Sequence, residues 1–446
     1  MPLLCPDRLE HIKMKLNLSA GLPLKREDKS RKVYMDSTTA GVVHKIRVLF
    51  VEGNDPLRAA LPALLHERSA KWEATAVSTA AEALQALAAR PHEAIVANVK
   101  LPDGNGVELL NKTGQQFPGV ARVLRCGPED RALLRGFVGL APLRVTNERK
   151  AAELETVLAC ALLVNSWTQD ESLKLLLPKM QKLPTMPDLY TQVMAKLTSP
   201  NSSLDDVGNL IARDPALTAR MLQMVNSPAM GLSSPVAGAV QAVLHLGVER
   251  VRAMILIANA SLQFDADQCK GFSQESLWQH SIATATLAHA ITLEETHDAT
   301  LAGQAFSAGI LHDVGKLLFA ANLTEEYGRT ISTATQQQLT AWEAERLAFG
   351  ASHAELGACL LGTWGLPLGV LRAIAWHHTP GQSDDGAFSI LTAVHAANAL
   401  AHSGQDKSTV AGDSLRLDRN YLKRLGLTER WVRWRTIAEQ AAQAAA

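Results

Sequence analysis

The chain carries no net charge. Lys plus Arg number 44 and Asp plus Glu number 44, so the formal charge at neutral pH is zero. A protein that grips nucleic acid without sequence preference neutralises phosphates with an excess of Lys and Arg. No such excess exists, and that class is set aside. Cysteine is scarce: Cys5, Cys126, Cys160, Cys269 and Cys359 are scattered, odd in number and include no Cys-x-x-Cys pair. This usage argues against a disulfide framework and a thiolate zinc site, and it fits a reducing, cytoplasmic setting. Long apolar runs are also missing; nothing approaches the roughly 18 consecutive apolar residues that a membrane span needs. There is no phosphate-binding glycine loop and no DNA-reading motif.

What is present is ordinary globular composition, 47% hydrophobic and 20% charged over 446 residues. At about 100–200 residues per domain, that length implies two or three folded units. Residues 1–45 are polar and Lys/Arg-leaning, without the apolar core of a secretory signal. They are expected to be a disordered tail. Met35 is an alternative candidate for the translation start, because a compact strand pattern begins just after it.

The rest divides by periodicity. From Ile46 to about Trp167, short β runs alternate with amphipathic helices. Ile46–Val51 and Glu93–Asn98 are buried-strand runs, Ala121–Arg125 is a third, and Thr79–Ala89 and Glu148–Val164 have helical spacing. Such alternation predicts a parallel sheet covered on both faces, a flavodoxin-like doubly wound fold with its functional groups at the C-terminal strand ends. Asn54 and Asp55 are expected to cap the first helix. Beyond about Asp170 the β signal disappears. Ser203-Leu-Asp-Asp206 has capping-box chemistry, Asp214-Pro215 supplies an N-cap with proline at the first helical position, and Gly247 reads as a helix stop. The second half is expected to be all-α.

Leu49-Phe-Val-Glu-Gly-Asn54 and Val96-Ala-Asn-Val-Lys-Leu-Pro-Asp-Gly-Asn-Gly106 resemble the first and third strand ends of a response-regulator receiver domain. The resemblance implies an aspartate nucleophile, two acidic Mg²⁺ ligands, a hydroxyl and a lysine. Aligned by motif, these positions hold Asn98, the pair Glu52 and Gly53, Cys126, and Asn147. An amide forms no acyl phosphate, and one carboxylate makes a poor Mg²⁺ site. The expectation is therefore a degenerate receiver with no phosphoacceptor and no Mg²⁺, retained as a docking or homodimerisation surface.

Further on, Leu183-Pro-Thr-Met-Pro187, Ile211-Ala-Arg-Asp-Pro-Ala-Leu217, Leu222-Gln-Met-Val-Asn-Ser-Pro228 and Val243-Leu-His-Leu-Gly-Val248 follow in order. This set resembles the HDOD (HD-related output) domain of bacterial signalling proteins. HD-type hydrolases build a metal site from histidines and aspartates on several helices. The matching residues here are His280, His312, Asp313, His353, His377 and His378, with Asn398 where a final aspartate is expected. Imidazole and carboxylate suit Mn, Fe or Zn. On one continuous helix, His312 and Lys316 would share a face while Asp313 turned about 100° away. Asn398 offers a neutral oxygen in place of a carboxylate, and His377-His378 leads into Thr-Pro-Gly, without the Gly-Tyr-Pro motif of cyclic-di-GMP phosphodiesterases. A second His-Asp pair, His297-Asp298, lies outside the motif and reads as a helix start. His245, His289 and His402 read as ordinary histidines, and His395 is left open.

The expected organisation is a tail at 1–45, a degenerate receiver at 46–167, a linker at 168–178, an HDOD domain at 179–402 and a C-terminal helical extension at 403–446. The resemblances imply a two-component-type signalling protein that works by protein–protein interaction, without phosphorylation. The alternative is a metal-dependent phosphohydrolase or phosphodiesterase, with Asp313 and Lys316 as catalytic groups, or a nucleotide sensor using the same cluster.

Overall fold

The computed structural model describes residues 45–126, 143–146, 151–180, 188–198, 202–226, 236–263, 268–405 and 417–445. The expectations for residues 1–44 (Met35 included), for Asn147 and for Leu183–Pro187 fall outside these.

Five strands form one sheet: β1 (Ile46–Val51), β2 (Trp72–Val77), β3 (Ala94–Asn98), β4 (Ala121–Cys126) and β5 (Leu143–Thr146). Their order is β2-β1-β3-β4-β5, and every pairing is parallel. This is the flavodoxin-like doubly wound order. Successive side chains point to opposite faces, so β1, β3 and β4 each feed two cores. Val48, Phe50, Val96 and Val123 join one apolar cluster, while Leu49, Val51, Ile95, Ala97 and Leu124 join the other. The apolar runs marked β1, β3 and β4 as strands. They did not mark β2 and β5, the two edge strands.

Around the sheet lie α1 (Asp55–Arg68), α2 (Ala80–Ala89), α3 (Gly106–Gln116) and α4 (Ala151–Thr168). Asn54 caps α1, its side chain accepting from the Leu57 amide, as its residue type demands. The helix expected at Glu148–Val164 is α4, one turn further on. Next come α5 (Glu171–Leu176), whose Leu173 and Leu176 are buried, and a 3₁₀ turn, Leu177–Lys179.

The remainder is helical. α6 (Asp188–Thr198), α7 (Leu204–Ile211) and α8 (Pro215–Val225) open it. Ser203 and Asp206 form the capping box, and Asp214 accepts from Leu217 N in front of Pro215. α9 (Ala239–Gln263) is broken at Gly247, whose φ of 73° lies outside helical space. Then follow α10 (Gln274–Thr296), α11 (Ala299–Leu311), α12 (Val314–Asn322), α13 (Thr324–Gln337), α14 (Ala341–Phe349), α15 (His353–Thr363), α16 (Leu368–Trp376) and α17 (Ile390–Gln405). Asp298 of the second His-Asp pair caps α11, accepting from Thr300 N and Leu301 N. At the C-terminus, α18 (Arg419–Arg424) and α19 (Arg430–Ala445) complete the described chain, with α19 against α10 and α17. Among the described residues, no helix is long and apolar enough to cross a membrane.

One expectation about local geometry is corrected. His312 and Asp313 do not sit inside a continuous helix: α11 ends at Leu311 and α12 begins at Val314. Asp313 takes φ −100° and ψ 6°, and the break turns its carboxylate back toward Lys316.

Candidate functional site

Two polar sites stand out, one in each half. At the C-terminal end of the sheet, Glu52 follows β1 and Asn98 closes β3. The Asn98 Nδ2 donates to both Glu52 oxygens, at 3.1 and 2.9 Å. Glu52 Oε1 also accepts from Asn54 N at 3.0 Å, and Oε2 accepts from Arg125 Nη1 at 2.5 Å. Glu52 and Arg125 are both buried. The Glu52 carboxylate therefore has its charge taken up by an internal guanidinium. Gly53 sits against Pro102, and Cys126 is buried at the end of β4. Nothing in the motif alignment pointed to Arg125. Its signal was an arginine at a buried position of a strand run, where an ionised side chain demands a partner.

The second site is built where four helix ends meet. Asp313, in the α11–α12 break, is its centre. Its Oδ2 lies 2.6 Å from Lys316 Nζ, 3.3 Å from His312 Nε2 and 3.8 Å from His280 Nε2. Its Oδ1 lies 2.9 Å from His353 Nε2, at the start of α15, and 3.8 Å from His377 Nε2, just past α16. His378 Nε2 is 3.1 Å from His353 Nε2. The side chains converge because the backbones do. A β-carbon on Gly315 would lie 2.0 Å from the His353 carbonyl oxygen, so only glycine lets α12 and α15 approach this closely.

Second contacts fix the rings. His312 Nδ1 donates to Gly309 O at 2.6 Å, His377 Nδ1 to Ile374 O at 2.7 Å, and His353 Nδ1 to Glu345 Oε2 at 2.6 Å. Each of these bonds takes the Nδ1 proton and aims Nε2 inward, the arrangement that orients metal-binding histidines. His280 Nε2 is instead partnered by Asn398 Oδ1 at 3.0 Å, which is how Asn398 reaches the site. His395, left open by sequence, donates Nδ1–H to His377 O and accepts the Asp418 amide. It is a brace between α17, α18 and the α16 end. His402 stacks on His280, His289 contacts Arg250, and His245 is exposed.

Glu345 and Tyr327 were not singled out from sequence. Glu345 is fully buried, accepts from the His353 backbone and ring and takes the Tyr327 hydroxyl at 2.9 Å. The Tyr327 hydroxyl is pushed well above its ordinary pKa by burial and by this carboxylate. Burial alone would depress His353, but Glu345, helped by Asp313, lifts it to about 9. Burial and the neighbouring His312 drive His280 down to about 3. His377 lies well below the usual value through burial, His312 and His353, and His378 through burial, His377 and His353. Asp313 stays ionised despite burial, held far below its usual pKa by His312, Lys316 and His353. Formally, two carboxylates (Asp313 and Glu345) face two cations (Lys316 and the His353 imidazolium).

The donor set also fits a divalent ion. Asp313, His353, His377 and His378 each offer one ligand atom within 4.8 Å of the others, as do His280, His312 and Asp313. Asp313 Oδ1 and His377 Nε2 are buried without a hydrogen-bond partner; the 2.9 Å approach of His353 is an ion pair off the hydrogen-bond direction. Buried polar atoms are rarely left so.

Residues 183–380 match the HDOD domain family, and the chain thus carries an HDOD domain behind its flavodoxin-like sheet. A curated relative, an uncharacterized protein of Treponema pallidum (strain Nichols), is 23% identical over 222 residues, covering 49% of this chain and 42% of that protein. The match spans less than half of that relative's length. Similar solved structures include an HDOD domain protein with unknown function from Geobacter sulfurreducens, 22% identical, covering 60% of this chain and 96% of that one with a TM-score of 0.46. Another is the signal receiver domain of an HD domain-containing protein from Pseudomonas fluorescens Pf-5, 23% identical, covering 30% of this chain and 98% of that one, TM-score 0.26.

Proposed function

We propose that this chain is a cytoplasmic signal-transduction regulator in which a phosphorylation-independent receiver-like domain is joined to an HDOD domain. It acts by presenting surfaces to other signalling proteins, or to a second copy of itself through the receiver side. The observation that carries this reading is the Glu52–Arg125 pair with Asn98 across it. The Glu52 charge is taken up internally by Arg125, and Asn98 has no carboxylate to receive a phosphoryl group. The histidine cluster agrees. Asp313, His312, His353 and His377 are at most 1% exposed, and solvent meets the cluster mainly at the partly exposed His378 and Lys316. Acetyl phosphate or beryllofluoride should leave the protein unmodified by intact mass and unchanged in tryptophan fluorescence. A phosphoryl adduct that disappears in Asn98→Ala would overturn the reading.

A second reading rests on Asp313 Oδ1 and His377 Nε2, two buried atoms of the cluster without a hydrogen-bond partner. In it, Asp313, His353, His377 and His378 hold Mn, Fe or Zn, with His280 and His312 on the other carboxylate oxygen. The ion would polarise a phosphoryl group and lower the pKa of bound water. Lys316 would neutralise Asp313 or an incoming anion, and the His353 proton would have to leave. Metal analysis of protein purified without chelator, with a phosphodiester assay and cyclic-dinucleotide calorimetry, separates the readings. Stoichiometric metal with turnover lost in Asp313→Ala favours the hydrolase. Heat with a nucleotide but no turnover favours a sensor.

A further inference from the structure

Helix α4 is apolar over most of its surface, with Thr156 exposed and Glu155 partly so, paired with Lys71. Leu154, Val157, Leu158, Cys160, Ala161, Leu162, Val164 and Trp167 are all buried along it. So wide an apolar surface must be covered on more than one side. One side packs on β3, β4, β5 and α1, and the other on α15 and α16. A single apolar cluster therefore runs from Val48, Phe50 and Val123 in the sheet, through α4, to Leu361, Leu371 and Ile374 in the helical domain.

The contact on the helical side is close. A β-carbon on Gly362 of α15 would lie 2.2 Å from Val164 Cγ2. Cys160 Sγ is 3.8 Å from Leu366 O, and the rings of Trp167 and Trp376 meet edge to face at 6.4 Å and 86°. Trp376 is the last residue of α16 and directly precedes His377 and His378. Arg372 lies over the same indole at 5.2 Å while binding Asp385 at 2.9 Å, so Trp376 is held by a second contact as well. His377 is in turn held by Ile374 O one turn back.

We infer that Trp167 is a positioning residue for the His377-His378 end of α16, and that α4 thereby couples the sheet domain to the histidine cluster. Trp167 touches no cluster residue; it sets the indole next to them. Edge-to-face aromatic pairs are directional, so a shift of α4 is passed to Trp376 as a displacement instead of being absorbed by slippage. The coupling holds whether the cluster carries a proton or a metal ion, and it gives a domain without phosphoryl chemistry a mechanical route to the HDOD domain. By linkage it runs both ways: whatever tightens the cluster tightens the α4 contact.

The test is hydrogen exchange by mass spectrometry on the full chain, with histidine C2 exchange read in the same digests. Trp167→Ala should raise exchange across 368–379 about tenfold and accelerate C2 exchange at His377, while β1 and β3 stay protected. Trp167→Phe, which restores an aromatic edge, should return both to near wild type. Wild-type exchange at 368–379 in Trp167→Ala, with the sheet protected, overturns the inference. Should Trp167→Ala not fold, Gly362→Ala and its partner Val164→Ala give the same reading. Loosening at 368–379 by Gly362→Ala that Val164→Ala reverses supports the coupling. No loosening, or loosening the second change leaves untouched, refutes it.

Discussion

Arg125 Nη1 lies 2.5 Å from Glu52 Oε2, both side chains are under 10% exposed, and the pair occupies the strand-end pocket where the sheet would otherwise gather free carboxylates. A buried ion pair contributes little net stability against an apolar pair, but removing one partner strands the other. Arg125→Ala should cost about 3–5 kcal/mol, and Arg125→Met with Glu52→Leu much less. Urea unfolding of the single and double variants checks this; equal losses in both would show that the charges are not coupled.

Asn98→Asp by itself should not create a working acceptor. The new carboxylate would share Arg125 with Glu52, leaving no site for a divalent ion. Beryllofluoride with Mg²⁺ should give no fluorescence change in Asn98→Asp. A clear response there would mean that Arg125 yields the pocket readily.

The cluster sets a pH optimum for stability. The folded pKa of His353, about 9, lies above its ordinary 6.5. Its stabilisation is complete below pH 6.5 and is lost as pH rises toward 9, worth about 3 kcal/mol in all. His280, His377 and His378 are shifted the other way, so their effect is to lose stability as pH falls below 6.5. Chelator-treated protein should therefore be most stable near pH 6.5, with unfolding midpoints falling on both sides. A midpoint flat from pH 6.5 to 9 would contradict the His353 assignment.

Glu345→Gln keeps the shape of the His353 partner and removes its charge. The alkaline loss should still begin near pH 6.5, the unfolded value, but end at lower pH and be smaller, because Glu345 is the leading upward influence on that imidazole. An unchanged alkaline limb would assign it to some other group.

Gly315→Ala should destabilise by about 1–3 kcal/mol through overpacking, since its β-carbon meets the His353 carbonyl at 2.0 Å. Thermal melts measure the loss. Histidine C2 exchange should rise at His353 and stay level at the distant His289; a rise at neither would mean the helices separate without disturbing the cluster.

Much was legible in the chain itself, because local physics writes it there. Apolar runs marked β1, β3 and β4, and caps at Asn54, Ser203 and Asp214 marked helix starts. The ordered histidines around His312-Asp313 named most of the cluster. The edge strand β2 was missed because half-exposed edges carry a weaker apolar signal. The single-helix reading of His312–Lys316 failed because spacing alone does not show where a helix breaks. Tertiary structure alone decided the partners. Arg125 meets Glu52 across 73 residues, Asn398 meets His280 across 118, and Cys160 meets Leu366 across 206. A side chain's type states that it needs a partner; only the packing of distant helices and strands, which excludes water from both, determines which partner it gets.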